Sequence, residues 1–120
     1  MKSILIIDDQ KWVKELCQEA YNPNPYRLRA AEDVAKAAMG IKEYNPDLVL
    51  LNLYTNCRIT GWDVLLDIKK QYPLLPVILI AGHEKFLFDQ RLARADEYVI
   101  VDSFACEDLK QKTAWIFDRK

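Results

Sequence analysis

The sequence predicts an α/β fold: a single (βα)5 domain over residues 1–120, doubly wound around a five-stranded parallel sheet. Two observations carry that expectation. Apolar runs of strand length recur along the chain, with stretches of helical spacing between them. Most of these runs are continuously apolar rather than alternating, which suits parallel strands covered on both faces.

The first run is Ile4–Ile7, ended by Asp8-Asp9. Trp12, Val13, Leu16, Cys17 and Ala20 then fall on one helical face. The second run, Tyr26–Ala31, is broken by Arg27 and Arg29 and suits a sheet edge. Val34, Ala35, Ala38, Met39 and Ile41 make the next helical stripe. Asn45-Pro46-Asp47 introduces the third run, Leu48–Leu51. Gly61-Trp62 precedes a helix carrying Val64, Leu65 and Ile68, with Asp63 placed to start it. The fourth run, Val77–Ala81, follows Pro76. Leu87, Leu92 and Ala95 give a poorer pattern in a short segment. Tyr98–Val101 is the fifth run, and it reads as continuously apolar like the first, third and fourth. Asp102-Ser103 offers capping chemistry to a last helix with Leu109, Lys112-Thr113, Ile116 and Phe117 along it. Strict strand–helix alternation, with right-handed crossovers, makes the sheet parallel.

Composition removes several function classes. With 17 Lys and Arg against 18 Asp and Glu, the chain lacks the basic surplus of a nucleic-acid or anionic-membrane binder. Gly40, Gly61 and Gly82 are too far apart to build a glycine-rich phosphate loop. Cys17, Cys57 and Cys106 form no CxxC pair, and there is one His, so neither a zinc site nor a disulfide framework is expected. Reduced thiols suit a cytoplasmic protein. No window approaches the roughly 18 apolar residues of a membrane span, and the run after Met1 is too short for a signal peptide.

In doubly wound folds the functional crevice lies outside the carboxyl ends of the strands. That singles out Asp8 and Asp9, Asn52, Ala81 with Gly82, and Val101 with Asp102.

At these positions the chain resembles the receiver domains of bacterial two-component response regulators, over essentially its whole length. The stretch from Ile4 to Asp9 resembles their first strand with its acidic pair, and Asn45 to Leu53 the segment ending in the phosphoacceptor. Gly61 to Leu65 resembles the start of the third helix, Pro76 to Gly82 the fourth strand, and Asp96 to Ser103 the fifth. The resemblance implies a flavodoxin-like sheet of order 2-1-3-4-5 and a place in cytoplasmic phosphorelay signalling. It also implies a pocket chemistry: two acids and a phosphoacceptor aspartate around Mg²⁺, a hydroxyl ending the fourth strand and a lysine ending the fifth. Asp8 and Asp9 match the acids, but Asn52 stands at the phosphoacceptor position, Ala81 at the hydroxyl and Val101 at the lysine.

Those replacements change what the pocket is expected to do. A neutral amide is a poor nucleophile and forms no stable acyl phosphate. Ala81 cannot donate a hydrogen bond to a phosphoryl oxygen, and Val101 cannot neutralise its charge. Magnesium loses a carboxylate ligand, so the expected cofactor is none, or weakly bound Mg²⁺. The reading that follows is a degenerate receiver that is not an enzyme and serves as a phosphorylation-independent protein-interaction module. Its partner would be a signalling protein or a component of a histidine kinase pathway, with no nucleic acid bound directly by this domain and no membrane. The alternatives are a small-ligand-sensing pseudo-receiver, a receiver still switched by weak Mg²⁺ and phosphate binding, and an enzyme using Asp8 as nucleophile or base.

The singled-out residues have plainer readings beside these. Asp8-Asp9 suits either a residual metal site or an acid cluster favoured by a helix dipole. Arg58, His83 or Lys85 are candidates for the missing positive charge. Tyr98 matches the family's switch aromatic and equally suits a half-buried strand tyrosine. Phe86 and Phe88 flank Leu87, so they cannot all face one core. Together with Tyr98, Lys110 and Lys112 they mark a partner surface, and the face of fourth helix, fifth strand and last helix is a candidate dimer contact. Trp12, Trp62 and Trp115 are expected to partly cover the sheet.

Overall fold

The computed structural model describes residues 1–8, 10–23, 25–32, 36–53, 61–81, 90–102 and 104–119. Strand β1 (Ser3–Ile7) pairs in parallel with β2 (Arg27–Ala31) on one side and with β3 (Leu48–Asn52) on the other. Strand β4 (Val77–Ala81) follows β3, and β5 (Glu97–Ile100) forms the far edge. The order β2-β1-β3-β4-β5 is the doubly wound sheet the sequence predicts.

Helices α1 (Trp12–Ala20) and α4 (Ala105–Asp118) cover one face of the sheet, against Ile4, Ile6, Leu48, Leu50, Ile78 and Ile80. Helices α2 (Ala37–Tyr44) and α3 (Gly61–Gln71) cover the other, against Leu5, Ile7, Val49, Leu51, Val77 and Leu79. Side chains alternate between faces along a strand, so a strand buried on both must be apolar at every position. Strands β3 and β4 are buried throughout, and β1 from Ile4 to Ile7. No helix among the described residues is long and apolar enough to cross a membrane.

Three expectations need correction. The fifth run is displaced by one residue: β5 is Glu97–Ile100, and Val101 lies beyond it, exposed. As an edge strand, β5 buries only Val99 fully, unlike the continuously covered strands. The second helical stripe departs at one position. Within α2 the buried positions are Ala37, Gly40 and Ile41, while Met39 points outward at 57% exposure. Ile41 keeps its expected place on the buried face, with Gly40 packed toward Leu5 beside it, so the stripe fails at Met39 and not along its whole length. Val34 and Ala35 lie outside the described residues. Third, Trp115 is 53% exposed and does not cover the sheet, whereas Trp62 is buried and Trp12 is partly buried. Between β4 and β5 the described residues form a 3-10 turn, Gln90–Arg94, and residues 82–89 lie outside the described residues.

The connections follow local chemistry. Asn45 ends α2 in the left-handed conformation, φ 47°, with its N–H donating to Ile41, the role asparagine fills best after glycine. Asp47 then fixes the start of β3, accepting the Ser3 N–H at 2.8 Å. Tyr21 and Thr113, both buried, share a 2.7 Å hydrogen bond that joins the end of α1 to α4. At the opposite end of the sheet from the strand carboxyl termini, Asp96 accepts the Val77 N–H at 2.8 Å and pairs with Lys69 at 2.7 Å and Arg119 at 3.2 Å. Burial pushes the Asp96 carboxyl up, but Lys69, Val77 and Arg119 together hold it below its ordinary value.

Two outcomes follow. Gly61 opens α3 directly beneath the end of β3, where a Cβ would fall 2.5 Å from the Leu53 carbonyl oxygen. Gly61→Ala is expected to cost about 1–3 kcal/mol in denaturant unfolding, the usual range for overpacking. Because Asp96 titrates lower folded than unfolded, its stabilisation is fully present above the unfolded value of 3.8 and is lost as pH falls from there through the folded value. The stability gap between wild type and Asp96→Asn should therefore be constant at neutral pH and shrink below about pH 4 in a series of thermal melts.

Candidate functional site

The carboxyl ends of the strands lie side by side in sheet order, at Ala31, Asp8, Leu53, Ala81 and Val101. Backbone bonds join three of the four neighbouring pairs: Asp8 N–H to the Ala31 carbonyl at 3.2 Å, Leu53 N–H to Ile80 at 2.9 Å, and Val101 N–H to Ala81 at 2.9 Å. Asp8 directly follows β1, and Asn52 is the last residue of β3. The β1–β3 register sets Ile7 opposite Leu51, which brings the next residue of each strand to the same level.

Asp8 and Asn52 are both buried and directly bonded: the Asn52 Nδ2–H donates to Asp8 Oδ1 at 2.9 Å. The same oxygen accepts the Gln10 N–H, and Asp8 Oδ2 accepts the Val13 N–H, each at 2.9 Å. The acceptor on Asp8 fixes the orientation of the Asn52 amide, since its oxygen turned toward a carboxylate would be repelled. Val13 is the second residue of α1, so Asp8 also satisfies a free N–H in the first turn and faces the positive end of the helix dipole. Lys11 precedes that turn in the left-handed conformation, φ 71°, a strained choice for a lysine, with its amine 3.8 Å from Glu32. Trp12 leans over the loop, its indole N–H donating to Gln10 Oε1 at 3.1 Å.

This carboxylate is compensated by N–H donors. An aspartate in place of Asn52 would set two carboxylates at hydrogen-bond distance, an arrangement that needs a cation or a proton between them. Asn52 removes that need. A Mg²⁺ ion requires free oxygen ligands, but both Asp8 oxygens already accept N–H bonds and Asn52 turns a nitrogen toward them. Among the described residues no cluster of three or more His, Cys, Asp or Glu side chains is placed to hold a metal. Three N–H bonds leave Asp8 one free lone pair, on Oδ2, and Asn52 presents a nitrogen, so these two residues offer the ion only a poor site. Asp9, Arg58, His83 and Lys85 lie outside the described residues.

Ala81 is buried at the end of β4 and pairs with Ile100, and Val101 is 39% exposed beside it. Neither brings a donor or a charge. Tyr98 pairs with Leu79, lower on β5, and is partly buried. Lys112 reaches over from α4. Its ammonium donates to the Tyr98 carbonyl, lies 4.8 Å from the centre of the Tyr98 ring, and pairs with Asp108 at 3.1 Å. Lys112 is thus a clamp on the β5 edge, whereas Lys110 is exposed. Phe86 and Phe88 lie outside the described residues.

Below Asp8, the Cys17 thiol is pushed up to about 12 by burial first, then by the charge of Asp8 and by Cys106. Cys106 is raised too, by burial and by Glu19.

Sequence reasoning missed the roles of four residues. Gln10 and Val13 meet Asp8 through their backbone N–H groups, and the one signal for them is an aspartate set just ahead of a helix start. Lys112 was placed on a docking surface, but its four-residue spacing from Asp108 already allowed an intrahelical pair. Phe104 drew no attention, yet it is the N-cap of α4, 73% exposed, with its N–H held by Asp102 Oδ1 at 2.8 Å.

Comparison with known proteins places this geometry. The family model described as "Response regulator receiver domain" matches residues 4–113. The nitrogen assimilation regulatory protein NtrX of Azorhizobium caulinodans is 28% identical over 120 residues, covering 89% of this chain and 26% of that protein. The chain therefore spans about a quarter of that relative's length. The response regulator TrrA from Thermotoga maritima, solved in complex with Mg²⁺ and BeF, superposes with a TM-score of 0.84 at 31% identity, covering 97% of this chain and 99% of that one. A structure of the histidine kinase ThkA in complex with TrrA also matches, with a TM-score of 0.84, 30% identity, and 98% and 100% covered.

Removing the Asp8 carboxylate isolates its structural role. Asp8→Ala leaves the Asn52 amide and two backbone N–H groups without their acceptor in a buried site, at about 1–3 kcal/mol for each group that finds no water. The expected outcome is a loss of several kcal/mol in urea unfolding, with Mg²⁺ making no difference to wild type or variant.

Proposed function

Because the chain belongs to the family of response regulator receiver domains, we propose that it is a receiver whose pocket is held in one hydrogen-bonded state and which binds protein partners without phosphoryl switching. The observation that carries this reading is the buried 2.9 Å bond from Asn52 to Asp8. It sets a neutral amide where an anionic nucleophile would be needed, and it uses the carboxylate that would otherwise ligate a cation. Ala81 and Val101 extend the argument, for no side chain at either position can grip a phosphoryl group. A switch needs a ligand that discriminates between two states, and here the input end offers no such contact.

The whole of residues 1–120 is read as one such domain, non-enzymatic and cytoplasmic, with Mg²⁺ absent or weakly held through Asp8 and Asp9. Its partner is a histidine kinase or another signalling protein, the class that TrrA meets in the ThkA complex. The surface assigned to that partner runs along β5 and α4, through Tyr98, Lys110 and the Lys112 clamp; Phe86 and Phe88, which the sequence adds to it, lie outside the described residues.

The test is chemical. Incubation with a small-molecule phosphodonor and Mg²⁺ should leave the intact mass unchanged, and beryllofluoride with Mg²⁺ should leave the backbone NMR spectrum of residues 84–112 in place. An acid-labile phosphate on residue 52, or large shifts spreading through that segment, would overturn the reading.

A further inference from the structure

The two edges of the sheet carry opposite charge and complementary relief. At the β5 edge, Phe104 projects from the start of α4 with 73% of its surface exposed. With Tyr98 and Ile100 it forms the apolar wall of a groove of about 440 Å³ that Asp102, Glu107 and Asp108 also line. Asp108 is paired with Lys112, Asp102 Oδ1 is turned to the Phe104 N–H, and Glu107 Oε1 accepts the Gln111 Nε2–H at 3.1 Å, so the charge lining this groove is acidic, with the exposed Lys110 further along the helix. At the β2 edge, a groove of about 360 Å³ is lined by Leu5, Leu28, Tyr44 and Pro46, with Arg27 and Arg29 along it and Glu43 at one side. The Arg29 guanidinium lies over Tyr44, 4.4 Å from the ring centre.

Charges on a sheet edge by themselves only discourage pairing. Here one edge bears an aromatic knob flanked by carboxylates, and the other an aromatic-walled groove flanked by guanidiniums. We propose that the chain self-associates head to tail, the Phe104 knob of one copy seating in the Arg27–Arg29–Tyr44 groove of the next. A second copy is the occupant that the charges favour, because both halves of the match are carried by one chain on opposite edges of one sheet. The contact joins two different surfaces, so it is heterologous and leaves a free knob and a free groove at the ends. This goes beyond the function proposed above and stands whether or not the pocket takes a phosphoryl group.

Sedimentation velocity tests it, at concentrations up to about 1 mM, where a contact with a dissociation constant of that size is well populated. The mean mass should rise with concentration and fall back in high salt. Arg29→Glu and Phe104→Asp should each be monomeric alone. Mixed in equal amounts they should form a discrete one-to-one dimer, because the first keeps an intact knob and the second an intact groove. A monomer at every concentration, a mixture that stays monomeric, or an Arg29→Glu variant that associates as wild type does would each overturn the proposal. The last result would indicate a contact between two β5 edges instead. If Phe104→Asp does not fold by circular dichroism, Glu107→Lys, at an exposed position, takes its place in the mixture.

Discussion

The bond from the Asn52 amide to the Asp8 carboxylate constrains more of this molecule than its length suggests. A carboxylate buried between two central strands is costly unless every oxygen is satisfied. Asp8 meets that condition with three N–H donors drawn from β3, from the loop after β1 and from the first turn of α1. One side chain therefore sets where α1 begins, how the intervening loop turns, and how the ends of β1 and β3 lie against each other. The left-handed Lys11 belongs to the same constraint, since the loop must bend sharply to bring both the Gln10 and the Val13 N–H onto one carboxylate.

The two ends of the sheet solve the same electrostatic problem differently. At the carboxyl ends Asp8 is balanced by neutral amides and a helix dipole. At the other end Asp96 is balanced by two cations, Lys69 and Arg119, together with the Val77 N–H. Neutral donors depend little on ionic strength, whereas the partly exposed pairs around Asp96 are open to screening. The pocket end is thus held by geometry, and the far end by charge.

Much of the fold was legible in the sequence because its signals are local. The continuous runs that became β3 and β4, the arginines that marked β2 as an edge, and the Asn-Pro-Asp turn all read correctly. Expectations failed elsewhere. The face of α2 was misjudged at Met39, which is exposed, while Ala37, Gly40 and Ile41 meet the sheet; side-chain size alone did not mark that face. The fifth run was misjudged because a continuously apolar run reads as covered on both faces even though the implied strand order already set it at an edge. At the candidate site, Asp8 and Asn52 could be named from their strand-end positions. Their direct bond could not be, because it joins residues 44 positions apart through a register that only the assembled sheet supplies. The Lys112 clamp was hidden for a related reason: a lysine on a helix reads as solvated until the edge beneath it is known.

Cys17 shows what the packing around Asp8 means for chemistry in time rather than in space. Its thiol is enclosed between α1 and the sheet, and its affinity for its proton is raised to about 12 by burial and by the neighbouring carboxylate. The thiolate is the reactive form, so the closed molecule is inert at this position to an alkylating reagent at ordinary pH. Any labelling of Cys17 must wait for α1 to lift from the sheet. Its rate would then count the openings of the very layer that Asp8 staples down, which makes this sulfur a clock for how often the pocket end of the domain breathes.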